Sequence, residues 1–150
     1  MITLAKAAEI SKSRIDTLHP DFRKKVHDWY QACVQENPLL IPYVYEGFRT
    51  MARQAELFKL GSHVTRAQPG QSYHNYGFAI DWVPITRHEK ANGMYETVWD
   101  TPIEEVAYKQ GEELARKFGM NPISWESGHL QDSDYPDWTD LKNKFVTLLR

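Results

Sequence analysis

Residues 72–81 read Ser-Tyr-His-Asn-Tyr-Gly-Phe-Ala-Ile-Asp, and this stretch decides how the rest of the chain is interpreted. From Gly77 to Val83 the side chains alternate as in a strand, which puts Phe78, Ile80 and Trp82 on one face. Asp81 lies in this apolar run, where a carboxylate needs a cation or strong hydrogen-bond donors. His74 precedes it by seven positions, an odd separation that places the two on opposite faces of a regular strand. A bend at Gly77 would let them converge.

A second stretch, residues 125–130 (Trp-Glu-Ser-Gly-His-Leu), offers another histidine with a carboxylate three positions before it. Zinc accepts N and O ligands, and catalytic zinc sites use three protein ligands and leave the fourth position to water. His74, Asp81 and His129 would form such a set, with Glu126 placed to take a proton. Simpler explanations stay open at this point, namely a His–Asp hydrogen bond or capped turn, and a solvated loop acid at Glu126.

The flanking sequence predicts an α+β domain, because helical spacings alternate with a few short strand patterns. We predict two helices within residues 1–37, a helix over 50–60, a helix capped by Thr101 and ending at Phe118, and a terminal helix over 136–150. The Asn37-Pro38 pair should end the second helix, and Leu149 should lie on the apolar face of the last. Strands are predicted over 41–48, as an edge strand, over 77–83, and over 123–131 as a strand or hairpin.

Composition limits the classes of protein that this chain can belong to. Its 150 residues fit one domain over 1–150, and the formal charge of −2 argues against a nucleic-acid binder driven by net charge. The single cysteine, Cys33, excludes an internal disulfide framework and a cysteine-rich zinc site. No run of about 20 apolar residues predicts a membrane span. The N-terminus lacks a convincing cleavage site, so we expect no signal peptide.

The pattern SxHxxGxAxD resembles the signature of the zinc D-alanyl-D-alanine carboxypeptidase / L-alanyl-D-glutamate peptidase family, and is formed here by Ser72, His74, Gly77, Ala79 and Asp81. That family includes vancomycin-resistance dipeptidases and many bacteriophage endolysins. Downstream it carries an acidic residue, two intervening residues and a histidine, as in residues 126–129. Upstream it carries a G-[YF]-R-[ST] segment and then a glutamine, as in residues 47–50 and Gln54. Three motifs in the family's order make the resemblance specific.

The resemblance implies a small antiparallel sheet that carries the zinc site and packs against several helices, as in hedgehog-like D-Ala-D-Ala peptidases. It implies that His74, Asp81 and His129 bind one zinc ion. Glu126 would be the general base that activates water and later protonates the leaving amine. Arg49 would stabilise the developing oxyanion or hold a substrate carbonyl.

Further residues are expected to contact the substrate. Ser72 and Gln54 match family positions beside the groove. Aromatic side chains that flank the motifs should form its walls, some of them behind the zinc, and these are Phe48, Tyr73, Tyr76, Trp82 and Trp125. Among the aromatics, Tyr73 and Trp125 are the predicted substrate contacts.

We therefore expect a monomeric zinc peptidase that cleaves the L-alanyl–D-glutamate bond of peptidoglycan stem peptides. The resemblance to single-domain phage lysins implies accumulation in the host cytoplasm and action on the wall after the membrane is permeabilised. A D-alanyl-D-alanine carboxypeptidase or dipeptidase, a non-catalytic wall-binding or zinc-structured module on the same fold, and a metal-free binding protein are the alternatives. The acidic stretch 132–137 lacks EF-hand spacing and is expected to be a solvated loop, with calcium binding through its oxygen atoms as the alternative.

Overall fold

The computed structural model describes residues 1–37, 40–98 and 102–148, which form five helices and two antiparallel sheets. The helices are α1 (Leu4–Ile15), α2 (Pro20–Glu36), α3 (Met51–Lys59), α4 (Pro102–Lys117) and α5 (Trp138–Leu148). The strands are β1 (Ile2–Thr3), β2 (Leu40–Glu46), β3 (Ala79–Thr86), β4 (Met94–Tyr95), β5 (Met120–Ile123) and β6 (Glu126–Asp132). The predicted α+β class is confirmed. The expected roles of Pro38, Thr101 and Leu149 fall outside the described residues.

The larger sheet has the strand order β2-β3-β6-β5, with every pair antiparallel. Strand β2 is an edge strand, as predicted, and β3 is central. Asp81 of β3 pairs with Glu46 of β2 on one side and with His129 of β6 on the other. Directly paired residues point to the same face of a sheet. The register therefore aligns these three side chains in one row across three strands.

Strand β3 begins and ends later than the alternation predicts. It spans Ala79–Thr86 because Gly77 adopts a left-handed conformation (φ 78°), which keeps the residues before it outside the strand. Pro84 continues the strand although proline lacks an N–H. It lies opposite Pro42 of β2, in the half of β3 where the pairing with β6 has ended after Asp81. The predicted strand at 123–131 is the β5–β6 hairpin, which already begins at Met120.

The other face of β3 builds the core against the helices. Trp82 is fully buried and packs edge-on against Trp29 of α2, with ring centroids 5.2 Å apart. Gly111 lets α4 approach closely, since a Cβ there would lie 2.5 Å from the Trp82 ring. The groove role expected for Trp82 is thus wrong, because its face of the strand is the core face. Cys33 is buried in the same core, and this burial raises the pKa of its thiol to about 12.

The acidic stretch after β6 is anchored by a lysine from α2. The Nζ atom of Lys25 lies 2.7 Å from Oδ1 of Asp132 and 2.9 Å from Oδ2 of Asp134. Asp132 is only 2% exposed, so the expectation of a solvated loop is wrong at this residue. The ammonium group occupies the position between the carboxylates that a cation would need.

Among the described residues, no helix is long and apolar enough to cross a membrane.

Candidate metal centre and active site

Three buried side chains from distant parts of the sequence meet on one face of the sheet. His74 belongs to a short 3-10 turn (Tyr73–Tyr76), Asp81 to β3 and His129 to β6. One ligand atom from each lies within 4.8 Å of the other two. The bend at Gly77 brings His74 and Asp81 to one side, as predicted. Glycine is required there, since φ is positive and a Cβ would lie 2.7 Å from the backbone nitrogen of His19.

Hydrogen bonds to carbonyl oxygens orient both imidazole rings. Nδ1 of His74 donates to the Gly47 carbonyl at 2.8 Å, which leaves Nε2 of the neutral ring with its lone pair. Nε2 of His129 lies 3.0 Å from Oε1 of Gln131, and in the tautomer that donates to this oxygen the lone pair of Nδ1 faces Oδ1 of Asp81. Each free nitrogen lies 3.3 Å from a different oxygen of Asp81. Lone pairs from both rings therefore converge on a carboxylate.

This donor set fits a zinc ion. Zinc ligands about 2.0–2.1 Å from a tetrahedral metal are roughly 3.3 Å apart, which matches both nitrogen–oxygen distances. The Nε2 atom of His74 is buried and has no hydrogen-bond partner among the described residues. A buried imidazole nitrogen rarely lacks a partner, and a metal would provide one. Two neutral imidazoles and one carboxylate are ligands that zinc prefers.

The electrostatics of the group keep Asp81 ionised. When protons on the two imidazole rings take the place of a metal, burial alone would raise the pKa of Asp81, but the charges and hydrogen bonds of His74 and His129 outweigh it and hold that pKa well below its usual range. Burial alone would lower the pKa of His74, but the negative charge of the neighbouring Asp81 outweighs this effect and raises that pKa. Asp81 thus stays ionised in a buried site where it attracts a cation.

Arg49 is fixed beside the ligand group by three partners. Its Nε and Nη2 atoms donate to the two carboxylate oxygens of Glu46, both at 2.8 Å, and its Nη1 donates to Oε1 of Gln54 at 2.9 Å. Nη2 also lies 3.5 Å from Oδ2 of Asp81. Bidentate pairing of this kind fixes the guanidinium plane. The buried Gln54, predicted to line the substrate groove, is instead a partner that holds Arg49 and the carbonyl of Ala67.

Two residues that hydrogen-bond to Arg49 were not predicted from the sequence. Glu46 lies outside the motifs, and only its position three residues before Arg49 hinted at an ion pair. Asn75 donates to the Arg49 carbonyl at 3.0 Å and accepts from the backbone nitrogens of Gly70 and Ser72. The S-x-x-N spacing of Ser72 and Asn75 is a capping-box pattern that could have revealed this role.

Ser72 and Tyr73 have structural partners. The Ser72 hydroxyl accepts from the backbone nitrogen of His74 at 3.2 Å and so caps the turn that carries this histidine. Tyr73 is buried, and its hydroxyl donates to the Tyr135 carbonyl. The substrate contact predicted for Tyr73 is therefore misplaced, because its ring packs into the core.

The other aromatic residues expected at the groove differ in exposure. Tyr76 is half-buried and donates to the Gly70 carbonyl. Phe48, next to Arg49, and Trp125, at the tip of the β5–β6 hairpin, are both exposed. These two remain available to a ligand.

Glu126 begins strand β6, three residues before His129. Glu126 is exposed as a whole, but partial desolvation of its carboxyl group, and then the charge of Asp81, raise its pKa. The charges of the two histidines and of Arg49 act in the opposite direction. A carboxylate with a raised pKa beside a metal site is suited to exchange protons.

Comparisons with known proteins show sequences that are similar to this chain. Residues 15–138 match the family model "VanY: D-alanyl-D-alanine carboxypeptidase". The peptidoglycan L-alanyl-D-glutamate endopeptidase CwlK of Bacillus subtilis (strain 168) is 32% identical over 110 residues, which cover 67% of this chain and 60% of that protein. The chain thus spans about 60% of the length of the curated relative it matches.

Solved structures share the fold. The L-Ala D-Glu endopeptidase ChiX of Serratia marcescens matches with a TM-score of 0.60 and 24% identity, over 85% of this chain and 90% of that one. A variant of the vancomycin-resistance D,D-pentapeptidase VanY in complex with Zn(II) matches with a TM-score of 0.54 and 19% identity, over 84% and 78% of the two chains. With the family model covering most of the sequence, the chain belongs to the VanY D-alanyl-D-alanine carboxypeptidase family of zinc peptidases.

Proposed function

We propose that this chain is a zinc-dependent peptidase that cleaves the L-alanyl–D-glutamate bond of peptidoglycan stem peptides. The observation that carries the proposal is the convergence of the two imidazole rings on Asp81, with Arg49 3.5 Å from that carboxylate and Glu126 at the start of the strand that carries His129. Zinc held by His74, Asp81 and His129 would supply a Lewis acid that polarises a carbonyl group and lowers the pKa of water.

The chain's own residues then divide the remaining work. Glu126 takes a proton from the attacking water and returns it to the nitrogen of the leaving amine, so the carboxylate ends each cycle unchanged. Arg49 offsets the negative charge that develops on the scissile carbonyl oxygen. Glu46 and Gln54 hold its guanidinium in place, so little reorganisation is needed when that charge appears.

The choice of scissile bond rests on the relatives. CwlK is named an L-alanyl-D-glutamate endopeptidase and is the 32% identical match. The family description, D-alanyl-D-alanine carboxypeptidase, favours a second candidate, removal of the terminal D-alanine. A non-catalytic module is disfavoured by Glu126, because a structural zinc site has four protein ligands and no need of a nearby acid.

Host lysis by a bacteriophage is part of the proposal, together with a monomeric state and accumulation in the host cytoplasm. Its support is the motif resemblance to single-domain phage lysins. We expect cytoplasmic expression to leave cells intact until the inner membrane is permeabilised, followed by rapid loss of turbidity. Lysis before the membrane is permeabilised, or no lysis after permeabilisation, would contradict this role.

Digestion of intact muropeptides tests the bond that is cleaved. The zinc-loaded chain should release peptides with a new N-terminal D-glutamate and leave L-alanine on the glycan, as measured by mass spectrometry. Release of D-alanine alone would overturn the endopeptidase assignment in favour of the carboxypeptidase.

A further inference from the structure

The side chain of Gln131 contacts the imidazole ring of His129 on one face of the larger sheet. Both residues belong to β6 and lie two positions apart, so their side chains point to the same face. Oε1 of Gln131 is 3.0 Å from Nε2 of His129, and Oδ1 of Asp81 is 3.3 Å from Nδ1 of the same ring. The ring is therefore held between an amide on one side and a carboxylate on the other.

The neighbouring strands fix the place of Gln131 in the sheet. Gln131 pairs with Ala79 of β3 on one side and with Asn121 of β5 on the other. Ala79 is fully buried and carries only a methyl group, whereas Asn121 is exposed. Gln131 itself is half-buried, which limits the water that competes for the His129 nitrogen.

The two histidines of the site differ in the group that orients them. Nδ1 of His74 lies 2.8 Å from the carbonyl of Gly47, a backbone oxygen that can only accept a hydrogen bond. Nε2 of His129 instead meets a side-chain amide, which can present either an oxygen or an NH2 group. The nitrogen that His129 leaves for a metal therefore depends on one side chain.

Asp81 and Gln131 compete for the same imidazole proton. If His129 carries its hydrogen on Nδ1, that nitrogen donates to Oδ1 of Asp81 and has no lone pair for a metal. If the hydrogen is on Nε2, it is donated to Oε1 of Gln131, and the lone pair of Nδ1 is left for the metal. Partners of metal-binding histidines commonly fix the tautomer and the orientation of the ring in this way.

We propose that Gln131 is a positioning residue that holds His129 in the tautomer whose Nδ1 binds zinc. It acts through the imidazole ring and contacts the metal at no point. The inference rests on the zinc ligation that belongs to the proposed function, and it is independent of which peptide bond is cleaved.

Zinc affinity, measured by competition with a chelator of known affinity, tests this role. Gln131→Met keeps the length of the side chain and removes the acceptor, whereas Gln131→Glu keeps an oxygen that accepts. Asn121→Met is the matched control, because Asn121 is the exposed cross-strand neighbour and loses the same amide group. We expect the dissociation constant to rise about 10- to 100-fold in Gln131→Met and no more than about threefold in Gln131→Glu and Asn121→Met.

A double-mutant cycle decides whether Gln131 acts through His129. His129→Ala should lose most of the zinc affinity, and the addition of Gln131→Met to that variant should have no further effect. If His129→Ala binds zinc as tightly as the parent chain, the proposed ligation fails and the inference falls with it. If His129→Ala loses affinity while Gln131→Met does not, or if Gln131→Glu loses as much as Gln131→Met, only the positioning role is overturned.

Nuclear magnetic resonance with isotope-labelled histidine gives a readout that a structural role alone would not move. With zinc in excess, the Nε2 proton of His129 and the Nδ1 proton of His74 should both be protected from exchange by their acceptors. Gln131→Met should lose this protection at His129 and retain it at His74, whose acceptor is the Gly47 carbonyl. Protection that is kept at both rings, or lost at both, would contradict the assignment.

Discussion

The Nε2 atom of His74 lies 3.3 Å from Oδ2 of Asp81, while the other nitrogen of that ring donates to the Gly47 carbonyl. In the neutral ring, a lone pair therefore faces a carboxylate oxygen. Two acceptors at this distance repel each other unless a cation lies between them. The backbone of the motif, through Gly47 and the turn before Gly77, thus places an imidazole nitrogen and a carboxylate oxygen where a cation can bridge them, either a proton or a metal ion.

Asp81→Asn should remove most of the zinc affinity. An amide is a poor zinc ligand, and the variant also loses the negative charge that offsets the cation in a buried site. We expect less than about 0.1 zinc per chain after dialysis against equimolar zinc, against about one for the parent chain. His88→Ala, on an exposed residue, is the control and should keep a full equivalent. A full equivalent in Asp81→Asn would show that the metal binds elsewhere.

Glu46→Gln should slow hydrolysis although Glu46 belongs to no motif. The bidentate pair with Arg49 would become a single weaker hydrogen bond, so the guanidinium would lose its fixed plane. Partners that orient active-site groups typically contribute factors of about 10 to 100 in activity, and we expect a loss of kcat in this range with zinc content unchanged. Glu56→Gln, on the exposed side of α3, should retain full activity. An unaltered kcat in Glu46→Gln would mean that Arg49 needs no such support.

Glu126→Gln should keep the fold and the zinc and lose hydrolysis. Glutamine is close in size but accepts no proton from water, so the proton transfer loses its base. General acid–base groups contribute about 10² to 10⁴ in rate, and we expect a decrease of kcat in this range. Zinc content and thermal stability should match the parent chain, because the carboxylate is not a ligand. A kcat within about threefold of the parent value would remove Glu126 from the mechanism.

Asp132→Ala should destabilise the chain more than Asp134→Ala. Asp132 is buried and accepts from Lys25 and from the backbone of Asp134, whereas the side chain of Asp134 is 71% exposed. We expect the free energy of unfolding to fall by about 1–3 kcal/mol in the first variant and by less than about 1 kcal/mol in the second, as measured by urea denaturation. Calcium should not stabilise the parent chain, since the Lys25 ammonium lies between these carboxylates.

Alkaline pH gives a separate test of the same anchor. Burial alone would lower the pKa of Lys25, but hydrogen bonds to Asp132 and Asp134 outweigh it and raise this pKa. The stabilisation that Lys25 contributes is therefore complete below its unfolded-state pKa of about 10.4 and is lost as the pH rises through its folded-state pKa. The stability difference between the parent chain and Lys25→Met should shrink above about pH 11. A difference that is the same at pH 8 and above pH 11 would argue against an ionic anchor.

The sequence predicted that His74, Asp81 and His129 would lie together because all three belong to two short motifs. His74 and Asp81 are close in the sequence, and the required bend has a visible cause in Gly77. His129 could be added because zinc prefers a particular set of ligands. The α+β class followed from the helical spacings and the few strand patterns.

Other features depend on contacts that no local pattern encodes. Glu46 faces Asp81 only through the register of β2 with β3, which shifts at the irregularity between Val44 and Glu46. Strands β1 and β4 have two residues each, too few for a recognisable alternation. The substrate contact predicted for Tyr73 was wrong, because a residue next to a motif residue can point into the core where the chain turns.

Reconstitution with zinc tests whether hydrolysis depends on one zinc ion per chain. The chain is stripped with a chelator and titrated with zinc while cleavage of an L-alanyl–D-glutamate muropeptide is followed. We expect negligible cleavage without metal and a rate that rises linearly until it saturates at one zinc per chain. A stripped chain that cleaves the peptide as fast as the zinc-loaded chain would contradict it.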